Sequence, residues 1–200
     1  MNSEYRALQA KVDAFADATA ARRAADLQCR AGCASCCHVW LTVSPVEAQA
    51  VRGALAALAA EERSAISARG RRELEREARH EGEPRCAMLD DDGRCAVYAQ
   101  RPLVCRTQGH ALRYPAGFVP ASAVRARTAN EAGEITCCPL NYTNEPPAPP
   151  DVLDAERVDQ LLAIVNHRFA TAEHIPPEAR TAISELAREA DMLGCPESRG

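Results

Sequence analysis

Ten cysteines in a chain of 200 residues carry most of the chemistry legible in this sequence. Four of them, Cys29, Cys33, Cys36 and Cys37, share the run CRAGCASCCH with His38. Cys86, Cys95, Cys105, Cys137 and Cys138 follow, and Cys195 stands apart after Gly194. Thiols spaced as Cys29-x3-Cys33-x2-Cys36 can reach one ion. Soft thiolate suits zinc, which takes four tetrahedral ligands, and it equally suits iron–sulfur clusters. Adjacent side chains diverge in most backbone conformations, so Cys36 and Cys37 are expected to face different ways. They would then serve two metals, or one of them would lie outside the ligand shell. Cys86, Cys95, Cys105 and one of Cys137/Cys138 supply four later thiols, enough for up to eight thiolates in two sets. Spacing does not say which thiol joins which set.

Other chemistries fit less well. Cys33-Ala-Ser-Cys36 is a CxxC, but a redox motif of that kind normally follows a strand, and here a long amphipathic stretch precedes it. The Cys29-x3-Cys33-x2-Cys36 spacing is also that of radical S-adenosylmethionine enzymes. Those are generally longer α/β barrels with an aromatic residue before the third cysteine, where this chain has Ser35. A hydrolytic metal site would mix histidine into an open shell. Only His38 and His110 lie near the cysteine motifs; His80, His167 and His174 fall on or beside helical stretches. No nucleophile elbow, phosphate loop or dinucleotide fingerprint is present, so no reaction is indicated. Haem attachment fails, since Cys37-His38 has alanine at position 34.

Composition narrows the setting. Hydrophobic residues make up 46% and aromatics 4%, so a core must rest on Ala, Leu and Val. The formal net charge of −4 argues against a general nucleic-acid binder. MNSEYRALQA has no apolar signal region, and no segment approaches the ~20 apolar residues of a membrane span. A cytoplasmic location, where thiols stay reduced, is expected. Dense cysteines there point to metal ligation rather than disulfides.

The elements that must position the cysteines follow from periodicity. Tyr5, Leu8, Val12, Phe15 and Ala18 predict a helix over residues 3–27. Gly32 suits a positive-φ turn inside the cluster, and residues 38–43 suggest a short strand. Ser44, Pro45 and Glu47 predict a capped helix start, with Val51, Leu55 and Leu58 facing inward. Residues 61–80 predict a charged helix whose run Arg71–Arg79 reads as a solvated face. Residues 81–118 lack helical periodicity, and Asp90-Asp-Asp-Gly93 marks a turn. Asn144–Pro150 reads as a stiff linker. Val158, Leu161, Leu162, Val165 and Phe169 predict one helix, and Ala179, Ile183, Leu186, Ala190 and Leu193 another, ending at Gly194. These two and the first helix are expected to pack together.

Three segments taken together resemble a known family. They are Cys29-x3-Cys33-x2-Cys36-Cys37, Val43-Ser-Pro-Val-Glu-Ala48, and Cys86-x8-Cys95-x-Val97-Tyr98-x2-Arg101-Pro102-x2-Cys105-Arg106. They look like the YkgJ-like cysteine-cluster family, a zinc- or iron-chelating domain with a CxxCxxCC label, over about residues 29–140. The resemblance implies metal chelation and no defined reaction. The family's last cysteine often precedes proline, which implies Cys138 rather than Cys137 as the final ligand.

The sequence thus predicts a mainly α protein whose amphipathic helices pack around an irregular, metal-stapled centre. Its expected parts are an N-terminal helix (1–28), a metal-binding domain (29–142), a linker (143–150) and C-terminal helices (151–200). The expected cofactor is zinc or iron, with an iron–sulfur cluster as the variant, held by Cys29, Cys33, Cys36, Cys37, Cys86, Cys95, Cys105 and Cys138. Arg101 and Arg106 would offset thiolate charge, and Tyr98 is expected to pack. A metal ion is the expected partner, with neither nucleic acid nor membrane.

Overall fold

Where an apolar stripe meets a cap, a helix forms. In a computed structural model describing residues 2–30, 32–118, 125–130 and 133–194, the clearest case is α2, Pro45–Ala56. Ser44 is its cap: the Ser44 backbone N–H donates to Glu47 Oε2 at 3.0 Å and the Ser44 hydroxyl at 2.8 Å. Val51 and Leu55 are fully buried on its inner face. The fold is mainly α, with α1 (Ser3–Arg22), α3 (Ala60–Arg79), α4 (Leu103–Thr107), α5 (Ala155–Ala172) and α6 (Ile183–Arg188) completing the α-helices of the described residues. None of these helices is long and apolar enough to cross a membrane. Cys195 lies outside the described residues.

The chain forms two compact units. The first comprises Met1–Asn2, Cys37–Pro102 and Asn166–Gly200; the second comprises Ser3–Cys36 and Leu103–Val165. The unit boundary therefore falls between Cys36 and Cys37, and again within α5.

In the first unit α3 packs on α6, a pairing that the apolar stripes alone do not specify. Gly70 allows it: a Cβ there would lie 2.4 Å from the Arg188 backbone nitrogen and 2.8 Å from the Ser184 carbonyl oxygen. Ile66, Leu186, Ala187 and Ala190 join Val51 and Leu55 in the core. Two predicted features shrink. The strand expected at 38–43 is only β1, Thr42–Val43, pairing antiparallel with β6, Thr181–Ala182. The last predicted helix is α6 followed by a 3-10 turn over Glu189–Gly194. The charged run of α3 is also not wholly solvated. Glu73 is buried and accepts from the Arg76 side chain (2.8 Å) and the Arg85 backbone N–H (3.1 Å).

The second unit contains what periodicity missed, a four-stranded sheet in the order β3-β4-β2-β5. Its strands are β2 (Ala111–Tyr114), β3 (Arg125–Asn130), β4 (Gly133–Thr136) and β5 (Val152–Asp154). They are short, so a period of two has little length in which to show. β2 pairs antiparallel with β4 (Leu112↔Thr136) and parallel with β5 (Ala111↔Val152). The α1 helix ends at Arg22, short of residue 27, because the chain beyond it is recruited elsewhere. The Asp26 carbonyl accepts from Tyr142 N–H at 2.9 Å. Arg22 Nε lies 3.1 Å from the buried Asp151 carboxylate and Arg23 Nε 3.6 Å. Arg22 also donates to the Pro150 carbonyl, and Arg23 to the Glu145 and Pro146 carbonyls. The proline-rich stretch is thus clasped along the end of α1.

Candidate metal centre

The clasp and the sheet bring Cys29 to Cys138. β4 runs directly into Cys137-Cys138, and its pairing with β2 sets this corner beside Gly109, just before β2. The Cys138 backbone N–H faces the Gly109 carbonyl at 3.5 Å, and a turn from Asn141 N–H to the Cys138 carbonyl (2.9 Å) follows. From the other side, the Gln28 backbone N–H donates to Asn141 Oδ1 at 2.8 Å. Asn141 is 3% exposed; its Nδ2 donates to the Gly109 carbonyl at 2.6 Å and faces Cys29 Sγ at 3.4 Å. Gly109 has φ +95°, and a Cβ there would lie 2.7 Å from Cys29 Sγ, so the sulfur occupies the space of the missing side chain.

Cys29 is exposed as a residue while its sulfur is turned inward. Burial pushes its thiol above the ordinary value, and the Asn141 amide pulls the other way. Repulsion from Cys138, Cys33 and Cys36 adds to the rise. Cys33 is presented by a turn closed from its N–H to the Arg30 carbonyl (3.0 Å), with Gly32 at φ +84° as expected. Cys36 sits on a 3-10 turn over Ser35–Cys37. Cys137, the neighbour of Cys138, instead acts on Tyr142.

In the first unit, backbone bonds join the segments that carry Cys37, Cys86 and Cys95. Cys86 N–H donates to the Cys37 carbonyl at 2.9 Å, and beside it His38 Nδ1 lies 3.1 Å from the Pro84 carbonyl, which gives that nitrogen the proton. Asp90–Gly93 forms the expected turn, closed from Gly93 N–H to the Asp90 carbonyl at 3.2 Å, and Leu89 bridges to Cys95. Ala87, Met88 and Leu89 are buried and anchor this loop. Burial raises the Cys95 thiol above its ordinary value, while the Val97 N–H and the Arg101 charge lower it.

Arg101 thus acts on a thiol as the sequence suggests. It also stacks 4.0 Å over Tyr98, which is 62% exposed rather than packed in a core. Arg106 has another partner: it is 5% exposed and ion-paired with Asp13, tying α4 to α1. Cys105 rides on the same short helix, after Pro102 as expected. His110 lies edge-on to Phe15 of α1 at 6.2 Å.

The nine described cysteines are thiols, not disulfides. As donors they suit a soft ion of the zinc or iron kind. Among the described residues no three His, Cys, Asp or Glu side chains converge closely enough to hold an ion, so the structure does not show a metal-stapled centre. Sequence reasoning named the thiols and missed Asn141 and Gly109. The only signal for either was a lone glycine between helix and strand, and an asparagine shortly after Cys138-Pro139.

A family model described as "Putative zinc- or iron-chelating domain", labelled CxxCxxCC, matches residues 28–138. No curated protein and no solved structure matches the chain.

Proposed function

Since the chain belongs to the CxxCxxCC family of zinc- or iron-chelating domains, we propose that it holds zinc or iron through up to eight thiolates in two sets. The observation that carries this reading is the seating of the Cys29 sulfur by Asn141 and Gly109, in the unit that also holds Cys33, Cys36 and Cys138. These four form the first set. Cys37, Cys86, Cys95 and Cys105 are the other four thiolates. The adjacent Cys36 and Cys37 then serve different sets, in keeping with their division between units.

The metal supplies a positive centre that four thiolates can share. The protein's own residues do the rest: Asn141 and Gly109 seat one sulfur, turns present Cys33 and Cys36, and Arg101 offsets charge near Cys95. Ligation ionises the thiols and releases protons, so loading and ordering of the centre are coupled.

Anaerobic purification with elemental analysis and a visible spectrum tests the reading. A colourless protein with about two zinc per chain, four thiolates each, supports structural zinc. A brown chromophore with acid-labile sulfide replaces it with an iron–sulfur protein serving electron transfer or a metal-dependent reaction. Cys33→Ser and Cys105→Ser should each lower metal content, whereas Cys195→Ser should not. Equal content in all three would refute the ligand set.

A further inference from the structure

The side chain of Asn141 has its orientation dictated by two backbone partners. The Gln28 N–H can only donate, so it must meet Oδ1. The Gly109 carbonyl can only accept, so it must meet Nδ2. The atom facing Cys29 Sγ at 3.4 Å is therefore a nitrogen carrying one proton not used by Gly109. That nitrogen has no lone pair to offer a thiol proton. The contact is consequently of one kind, N–H to sulfur, and such a bond is strongest when the sulfur is a thiolate. Asn141 is nine-tenths and more buried, which strengthens the bond and makes its loss costly. Gly109 adds a shape requirement, since any side chain there would occupy the position of the sulfur.

We infer that Asn141 is a positioning residue for the metal centre, donating an N–H to the Cys29 thiolate and fixing the direction in which that sulfur presents itself to an ion. The inference rests on the proposed ligation by Cys29. Its consequence is that Asn141 acts on the metal through one sulfur, beyond its work as a bracket between backbone segments.

Cobalt(II) is the probe, since its thiolate charge-transfer bands report the sulfur directly. The full chain is titrated with cobalt as native protein, Asn141→Ala, Asn141→Asp, Cys29→Ser and the Cys29→Ser/Asn141→Ala double variant, with far-UV circular dichroism on each. Asn141→Asp has the shape of asparagine and keeps the acceptor for Gln28, but both donors are gone. Both Asn141 variants should bind cobalt about tenfold more weakly, with the charge-transfer band moved to longer wavelength because the sulfur lone pair has lost its donor. In the Cys29→Ser background, Asn141→Ala should cost little more, because its target sulfur is absent. An unmoved band in Asn141→Asp, or an undiminished Asn141→Ala loss without Cys29, overturns the inference and leaves ligation by Cys29 standing. A native protein without thiolate bands, or a Cys29→Ser variant that binds cobalt like the native chain, overturns the ligation reading and this inference with it.

Discussion

At the scale of the residue, the centre depends on groups that carry no metal-binding chemistry of their own. Gly109 contributes the absence of a side chain, at φ +95°, and a carbonyl that holds Asn141. Gly109→Ala should lower both metal content and stability, the latter by about 1–3 kcal/mol from backbone strain alone. Urea unfolding beside elemental analysis checks both, and an alanine variant with native metal content would contradict the seating of Cys29. Tyr142 is a second case. It is 6% exposed, and burial first, then the nearby Asp151, push its hydroxyl up to about 12. The fold therefore binds the tyrosine proton more tightly than the unfolded chain, whose value is about 10. Stability from this group is complete below pH 10 and is lost as pH rises through 12. Tyr142→Phe should lose less stability than the native chain over that window, read by denaturant unfolding at several alkaline pH values. Equal slopes would remove Tyr142 as their source.

At the scale of the element, the legible parts are those whose signal is local. The α1 stripe of Tyr5, Leu8 and Val12, the capping box of α2 and the turn at Asp90–Gly93 are written in neighbouring residues, and each is present, although Ala18, expected to continue the stripe, is exposed. The sheet is not written that way. Its longest strand is the six residues of β3, and β2 reaches β5 from 41 positions away (Ala111↔Val152). The close packing of α3 on α6 is likewise invisible in a stripe, since it depends on Gly70 meeting the backbone of α6. Gly70→Ala should destabilise the protein by about 1–3 kcal/mol through overpacking. Alanine's better helix propensity, worth about 1 kcal/mol, does not offset a clash with a backbone that cannot yield. A thermal melt that rises in this variant would show that the two helices can part at no cost.

At the scale of the whole molecule, the thiols are shared between two compact units, with Cys29, Cys33, Cys36, Cys105, Cys137 and Cys138 in one and Cys37, Cys86 and Cys95 in the other. The units differ in what holds them. The first has an apolar core of Val51, Leu55, Ile66, Leu186 and Ala190. The Cys29–Cys138 corner rests on hydrogen bonds and the proposed metal. Removing metal with a chelator at neutral pH should therefore speed amide exchange at residues 28–36 and 137–142 and leave α3 and α6 protected. Hydrogen-exchange mass spectrometry reads this directly, and uniform loss of protection would mean that metal holds both units alike.

The sequence by itself determined the kind of chemistry and the local elements, because side-chain type and helical period are carried by the chain without reference to distant residues. The soft donors, the mainly α character and the family resemblance all came from that level. Only the tertiary structure decided which thiols are neighbours. The Cys137-Cys138 segment lies beside the segment of Cys29 because a strand pairing and a single asparagine join stretches 113 positions apart. Adjacent cysteines are equivalent in sequence, and they become different only when long-range hydrogen bonds fix which way each one faces.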